Sequence, residues 1–254
     1  MKLRKRVRRR LALLSSALLL SAGGCLLAKT LPPATGGQAS SEAAASRLDP
    51  SVYPPELIAL YESNPDAEAF VLHYPSGRNK TYDIDLSACL GKKKPVPLYQ
   101  WDERWGYTSY GGNLLGLSGC GPTCLSMVCL HLLQDPSLDP KTVAAFSEEK
   151  GYCLPGNGSA WTLISEGGEA LGLEVTEIPL VKSRVLDNLR AGNPILCVMG
   201  PGDFTTSGHF IVLTGLQDGR ITLNDPNSVR RTETLWEYDA IADQIRNLWV
   251  CRKP

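Results

Sequence analysis

Histidine is scarce in this chain of 254 residues; there are three. A reaction needing an imidazole base has only His73, His131 or His209 to draw on. Net charge is absent as well, since 26 Lys and Arg balance 26 Asp and Glu. The balance is uneven: seven basic residues fall between Lys2 and Arg10, so the chain from Cys25 onward has 19 basic against 26 acidic residues, a net charge of −7. That stretch has no cationic surplus with which to displace counterions from phosphates, so no nucleic-acid partner is expected. Internal repeats, a phosphate loop and the Rossmann glycine pattern are all missing, which sets nucleotide enzymes aside. No C-x-x-C occurs. Cys120, Cys124, Cys129 and His131 would fall at different angles around one helix and cannot close a tetrahedral shell, so neither a metal nor another cofactor is expected.

What is present suffices for one sizeable core, with 43% hydrophobic and 20% charged side chains. Residues 1–25 read as an export signal: a basic block, the apolar stretch Leu11 to Ala22, then Gly23-Gly24-Cys25. Ala22-Gly23-Gly24-Cys25 resembles a bacterial lipobox with Cys25 as the lipidated residue, although Ala22 stands where leucine is usual. An uncleaved anchor over Leu11 to Ala28 and simple cleavage are the alternatives. Each places the following domain outside the cytoplasm, attached to the membrane by a lipid or N-terminal anchor, or secreted. Residues 26–50 are Ala-, Ser-, Gly- and Pro-rich and read as a flexible linker, its LPPATG (Leu31 to Gly36) included.

Residues 51–96 read as a helix and hairpin extension. Ser51 caps a helix through Leu57, Ile58, Leu60 and Tyr61; Phe70 to Tyr74 is a strand, Pro75 to Asn79 a turn, and Thr81 to Leu86 the returning strand. Residues 97–254 form the main domain. After an aperiodic loop from Asp102 to Gly119, Gly121-Pro122 opens an apolar helix to Leu133. Further helices follow Asp139-Pro140, Ser159 and Val181. Ile195 to Met199, His209 to Leu216, Ile221 to Asn224 and Leu248 to Cys251 are strands, with Leu235 to Ile245 a helix between the last two. Helices first and an antiparallel sheet last make an α+β layout.

His209 stands out among the histidines because it follows the small-residue run Pro201 to Gly208 and opens the most hydrophobic strand. The hairpin returning to Asn224-Asp225-Pro226 brings Asp225 to the same end as His209, where a carboxylate can orient a base. Cys120 precedes the apolar helix, where unpaired N–H groups and the helix dipole favour a thiolate. Gly119 and Gly121 would let a substrate backbone approach. Composition alone leaves open whether Cys120 is a nucleophile or a structural cysteine. The remaining Cys89, Cys124, Cys129, Cys153, Cys197 and Cys251 permit bridges outside the cytoplasm. The apolar runs around Cys129 and Cys197 argue for at most one.

Tyr99-Gln100-Trp101-Asp102-Glu103-Arg104-Trp105-Gly106, Tyr110-Gly111, Gly119-Cys120-Gly121-Pro122-Thr123, Gly208 to Gly215 and Asn224-Asp225-Pro226 together resemble the C39-like peptidase family. The resemblance covers Pro97 to Cys251 and implies a papain-like cysteine peptidase fold. It implies that Cys120 attacks an amide carbonyl, His209 activates it and protonates the leaving amine, and Asp225 holds the imidazole. Gln100 would complete the oxyanion hole with the Cys120 N–H. Peptide or cell-wall peptide is the expected substrate. A binding protein without turnover and an acyl-transfer enzyme remain the other classes. Trp101, Trp105, Tyr107 and Tyr110 either line the cleft or fill the core.

Overall fold

The computed structural model describes residues 48–254, so the signal, Cys25 and residues 26–47 of the expected linker lie outside the described residues, while Leu48, expected in that linker, is buried among Leu57, Leu60 and Phe70. Helix α1 (Pro55–Ser63) starts on a proline, whose missing N–H is not needed in a first turn, and ends at Asn64. Pro54, not Ser51, occupies its N-cap position. Helix α2 (Glu68–Gly77) replaces the expected hairpin, and residues 80–86 form no strand. Phe70, Val71, Tyr74 and Gly77 are its buried positions, a spacing that suits a helix. Their β-prone side chains pack with Leu48, Leu57, Leu60 and Tyr107 in a small separate core, and this tertiary packing overrides local preference. Phe70 stacks on Tyr107 with centroids 4.6 Å apart.

The stretch read as an aperiodic loop contains four short elements: α3 (Glu103–Gly106), β1 (Ser109–Tyr110), β2 (Asn113–Leu114) and α4 (Leu115–Ser118). Helix α5 (Cys120–Leu133) follows, buried on every face from Gly121 to Leu130. It packs against α6 (Pro140–Glu149), α7 (Thr162–Ala170) and the sheet. Asp139 caps α6, accepting from the N–H groups of Lys141 and Thr142. Ser159 does not cap α7 as expected; Trp161 holds the N-cap position, and the Ser159 hydroxyl instead pairs with the Tyr110 hydroxyl at 2.6 Å.

The sheet contains β3 (Glu174–Glu177), β4 (Ile195–Met199), β5 (His209–Gln217), β6 (Arg220–Asn224) and β7 (Ile245–Arg252), reached past α8 (Lys182–Arg190), α9 (Val229–Glu233) and α10 (Tyr238–Ile241). The helix expected over Leu235 to Ile245 shrinks to α10 and one 3-10 turn, while the polar α9 was not foreseen. All pairings are antiparallel in the order β3-β7-β4-β5-β6, so β7 is inserted between earlier strands. Leu196, Val198, Phe210 and Val212 face α5, α6 and α7 in the larger core. Ile195, Cys197, Met199, Ile211 and Leu213 alternate with them and join the core that includes Val185 and Leu189 of α8. With both faces covered, the strand ILCVM is apolar throughout rather than alternating. Asp218 and Gly219, both at positive φ, make the two-residue turn between β5 and β6. This hairpin returns Asp225, just past the end of β6, to the level of His209.

Candidate active site

Cys120 is the first residue of α5 and His209 the first of β5. His209 Nε2 lies 2.7 Å from Asp225 Oδ1, which leaves Nδ1 as the ring nitrogen free to serve Cys120, with which His209 lines one cavity. Asp225 is fully buried and His209 is 8% exposed, while Cys120 is half-buried. Burial works against charge on all three, but their mutual contacts outweigh it. Burial alone would lower the His209 pKa; the neighbouring Asp225 carboxylate and Cys120 thiol push it up to about 10. Burial would raise the Cys120 thiol, yet the hydrogen bond and charge of His209, with the peptide N–H groups of Phe210 and Gly121, bring it below the ordinary thiol value. Asp225 is likewise held below the ordinary carboxylate range despite its burial, by His209, the Asn227 N–H and Arg231.

Arg231 was not anticipated. Its Nη1 donates to Asp225 Oδ2 at 3.0 Å, while the Asn227 N–H donates to Oδ1 at 2.8 Å, so both carboxylate oxygens are engaged. The Asp225 N–H itself donates to the Thr232 hydroxyl at 3.0 Å. Helix α9 buries no residue, so it has no apolar period from which either contact was readable.

Gln100 approaches from the other side. Its backbone N–H donates to the carbonyl of Pro226, next to Asp225, and its side-chain Nε2 donates to the Gly116 carbonyl at 3.0 Å. One Nε2 hydrogen is thereby held and the other is left for the cavity. Oε1 has no partner among the described residues.

Gln100, Cys120 and His209 line one cavity of about 810 Å³, with Asp225 behind the imidazole. Apart from Cys120 and His209, its lining among the described residues contains no ionisable side chain. The aromatics on it are Trp161, Phe204 and Phe210. Trp105, Tyr107 and Tyr110 are buried in the cores instead, and Trp101 stacks on Tyr99 at 4.8 Å. Gly119 and Gly121 also differ from expectation. A Cβ at either would stand 2.5 Å from Leu115 or from the Ser159 hydroxyl, so close internal packing demands both glycines, not the approach of a substrate.

His73 sits on α2 with Nδ1 2.7 Å from Glu103 Oε1, and His131 lies at the end of α5 with burial lowering its pKa; neither adjoins the cavity. Cys89, Cys120, Cys124, Cys129, Cys153, Cys197 and Cys251 are all free thiols. Among the described residues, no group of three or more His, Cys, Asp or Glu is placed to hold a metal, and no helix is long and apolar enough to cross a membrane.

The peptidase domain of Streptococcus ComA, a bi-functional ABC transporter involved in a quorum-sensing pathway, is 18% identical with a TM-score of 0.42, covering 54% of this chain and 93% of that one. A structure described as a C39-like peptidase from Bacillus anthracis is 14% identical with a TM-score of 0.40, covering 67% and 98%. A search of curated proteins finds no match. The profile of the Peptidase_C39 like family matches residues 93–253, well over half of the sequence and all of the cavity. The chain belongs to the Peptidase_C39 like family.

Proposed function

We propose that this protein is an exported cysteine peptidase-like hydrolase that cleaves peptide or isopeptide amide bonds through Cys120, His209, Asp225 and Gln100. The observation that carries the proposal is the 2.7 Å contact of His209 with buried Asp225, on a ring that lines the same cavity as the Cys120 thiol. Because the imidazole is pushed up and the thiol down, the pair favours thiolate and imidazolium, the form able to attack a carbonyl without a further base. Sulfur adds to the carbonyl carbon and the electron pair moves to oxygen. The Cys120 N–H and the free Nε2 hydrogen of Gln100 are the donors for that oxyanion. His209 then gives its proton to the departing amine, leaving a thioester. Water, deprotonated by the now neutral imidazole, releases the acid and restores the thiol. Asp225 stays ionised throughout and keeps the ring turned toward sulfur.

The uncharged cavity lining favours a peptide whose side chains near the scissile bond are neutral. Incubating wild-type protein and Cys120→Ala with a peptide library and comparing products by mass spectrometry tests the assignment. Products from wild type alone are expected, and equal products from both would overturn it. Export rests on the basic block followed by LALLSSALLLSAGGC. Wild-type protein should take up labelled lipid and Cys25→Ala should not; an unlabelled wild type would rule out lipidation and leave the uncleaved anchor or simple cleavage.

A further inference from the structure

The family match begins at residue 93, yet two side chains before it reach the turn that carries Asp225. Asn64, between α1 and α2, donates its Nδ2 to the Asn227 carbonyl at 2.8 Å and to Asn227 Oδ1 at 3.1 Å. Asp66 Oδ2 accepts the N–H of Val229, the first residue of α9, at 2.9 Å. Asn227 supplies the N–H that fixes Asp225 Oδ1, and α9 supplies the Arg231 that fixes Oδ2. Each carboxylate oxygen is therefore backed by a residue 163 positions upstream of the segment it holds.

The same extension also touches the Gln100 side. A Cβ on Gly116, whose carbonyl receives Gln100 Nε2, would stand 2.5 Å from Phe70 Cζ, so α2 is seated directly on that peptide. We infer that Asn64 and Asp66 are positioning residues for the reaction, clamping the turn of Asp225 so that its carboxylate stays aligned with His209. The inference rests on the hydrolase reading above, and it makes the family-matched segment dependent on residues outside it.

Electrostatics around the pair sets what an experiment should read. Cys120 and Cys124 face it from α5, Tyr99 from the segment before α3, and Arg231 from α9; Asp66 and Glu233 lie farther out, beside Tyr99. If the turn loosens, the carboxylate drifts from Nε2, the imidazolium loses support, and with it the thiolate. The readout is the rate of Cys120 alkylation by iodoacetamide against pH, resolved by peptide mass spectrometry on the full chain, which requires no substrate.

Asn64→Ser keeps a capping oxygen for the Asp66 N–H but is too short to reach Asn227. Asp66→Ala removes the acceptor, while Asp66→Asn keeps an acceptor and removes only the charge. Asn64→Ser and Asp66→Ala should raise the alkylation midpoint by about 0.5–1 pH unit, with Asp66→Asn close to wild type. Peptide turnover should fall about 10-fold in kcat with KM little changed in the first two variants. Wild-type midpoints in folded Asn64→Ser or Asp66→Ala would overturn the positioning role alone. A wild-type alkylation profile that His209→Ala leaves unaltered would remove the ion pair, and the positioning role would fall with it.

Discussion

The two sides of the cavity are built differently. On one side Asp225 is fully buried, both its oxygens are hydrogen-bonded, and its own N–H is taken by Thr232. On the other, Cys120 is half-buried at a helix start, and Gln100 keeps one amide hydrogen uncommitted. The orienting side is saturated and therefore fixed. The Cys120 side is left with unsatisfied valence aimed at the cavity, where charge would develop in the proposed acyl transfer. Fixation and open hydrogen-bonding capacity are thus assigned to separate elements, the sheet hairpin and the helix N-terminus.

Removing both functional poles should give the largest effect. Cys120→Ala and His209→Ala should each bring turnover near background, with the double variant little worse than either, because the two act as one unit. Additive losses in that cycle would separate the two sides. Next comes Gln100→Ala, which removes one oxyanion donor and should cost about 10²–10³ in kcat with the fold intact. A loss confined to KM would show Gln100 serving ground-state binding instead.

Stability should carry a third signature. The His209 pKa is raised above its unfolded value, so this pair's contribution is fully present below pH of about 6.5 and is lost as pH rises toward about 10. Asp225 has the opposite sign: its pKa is depressed, and its contribution disappears as pH falls through the acid range. Denaturant midpoints against pH should therefore decline at both ends, and Cys120→Ala, lacking the thiolate that supports the imidazolium, should begin its alkaline decline at lower pH. An unchanged alkaline limb would disconnect sulfur from the ring. The smallest effect is expected for Arg231→Met. It keeps the stem near Phe204 but removes at once the cation that competes with His209 for the carboxylate and the donor that holds Oδ2 in place, two changes of opposite sign, so the alkaline limb of turnover should move by less than about 0.5 pH unit. A shift as large as that of Asp66→Ala would show one of the two to dominate.

The hairpin from His209 to Asp225 was legible because both strands have strong apolar patterns and the Asp218-Gly219 pair specifies a tight turn. Its closure puts base and carboxylate at one end whatever surrounds them. Helix α5 was legible for a similar reason, being apolar and opened by a proline. Helix α2 was not, because Phe70-Val71-Leu72-His73-Tyr74 is a run of strand-prone residues whose conformation is decided by Tyr107 and α1, far along the chain or packed from outside. Arg231 could not be found, since Val229-Arg230-Arg231-Thr232-Glu233 buries nothing and resembles any solvated segment. Nothing local marks Asn64 or Asp66; only the fold reveals that their side chains span to Asn227 and Val229. What local pattern carries was readable, and what long-range contact decides was not.

The insertion of β7 between β3 and β4 has a consequence for how the protein comes into being. During synthesis, residues 174–224 emerge first and can form the β4-β5-β6 portion, but β3 has no neighbour until residues 245–252 arrive. Until then the edge of β4 stays open, and Leu248, Trp249, Val250 and Cys251 are missing from both cores. The candidate site therefore sits on a sheet that is completed only when residues 245–252 join it, so full packing of both cores waits on that strand.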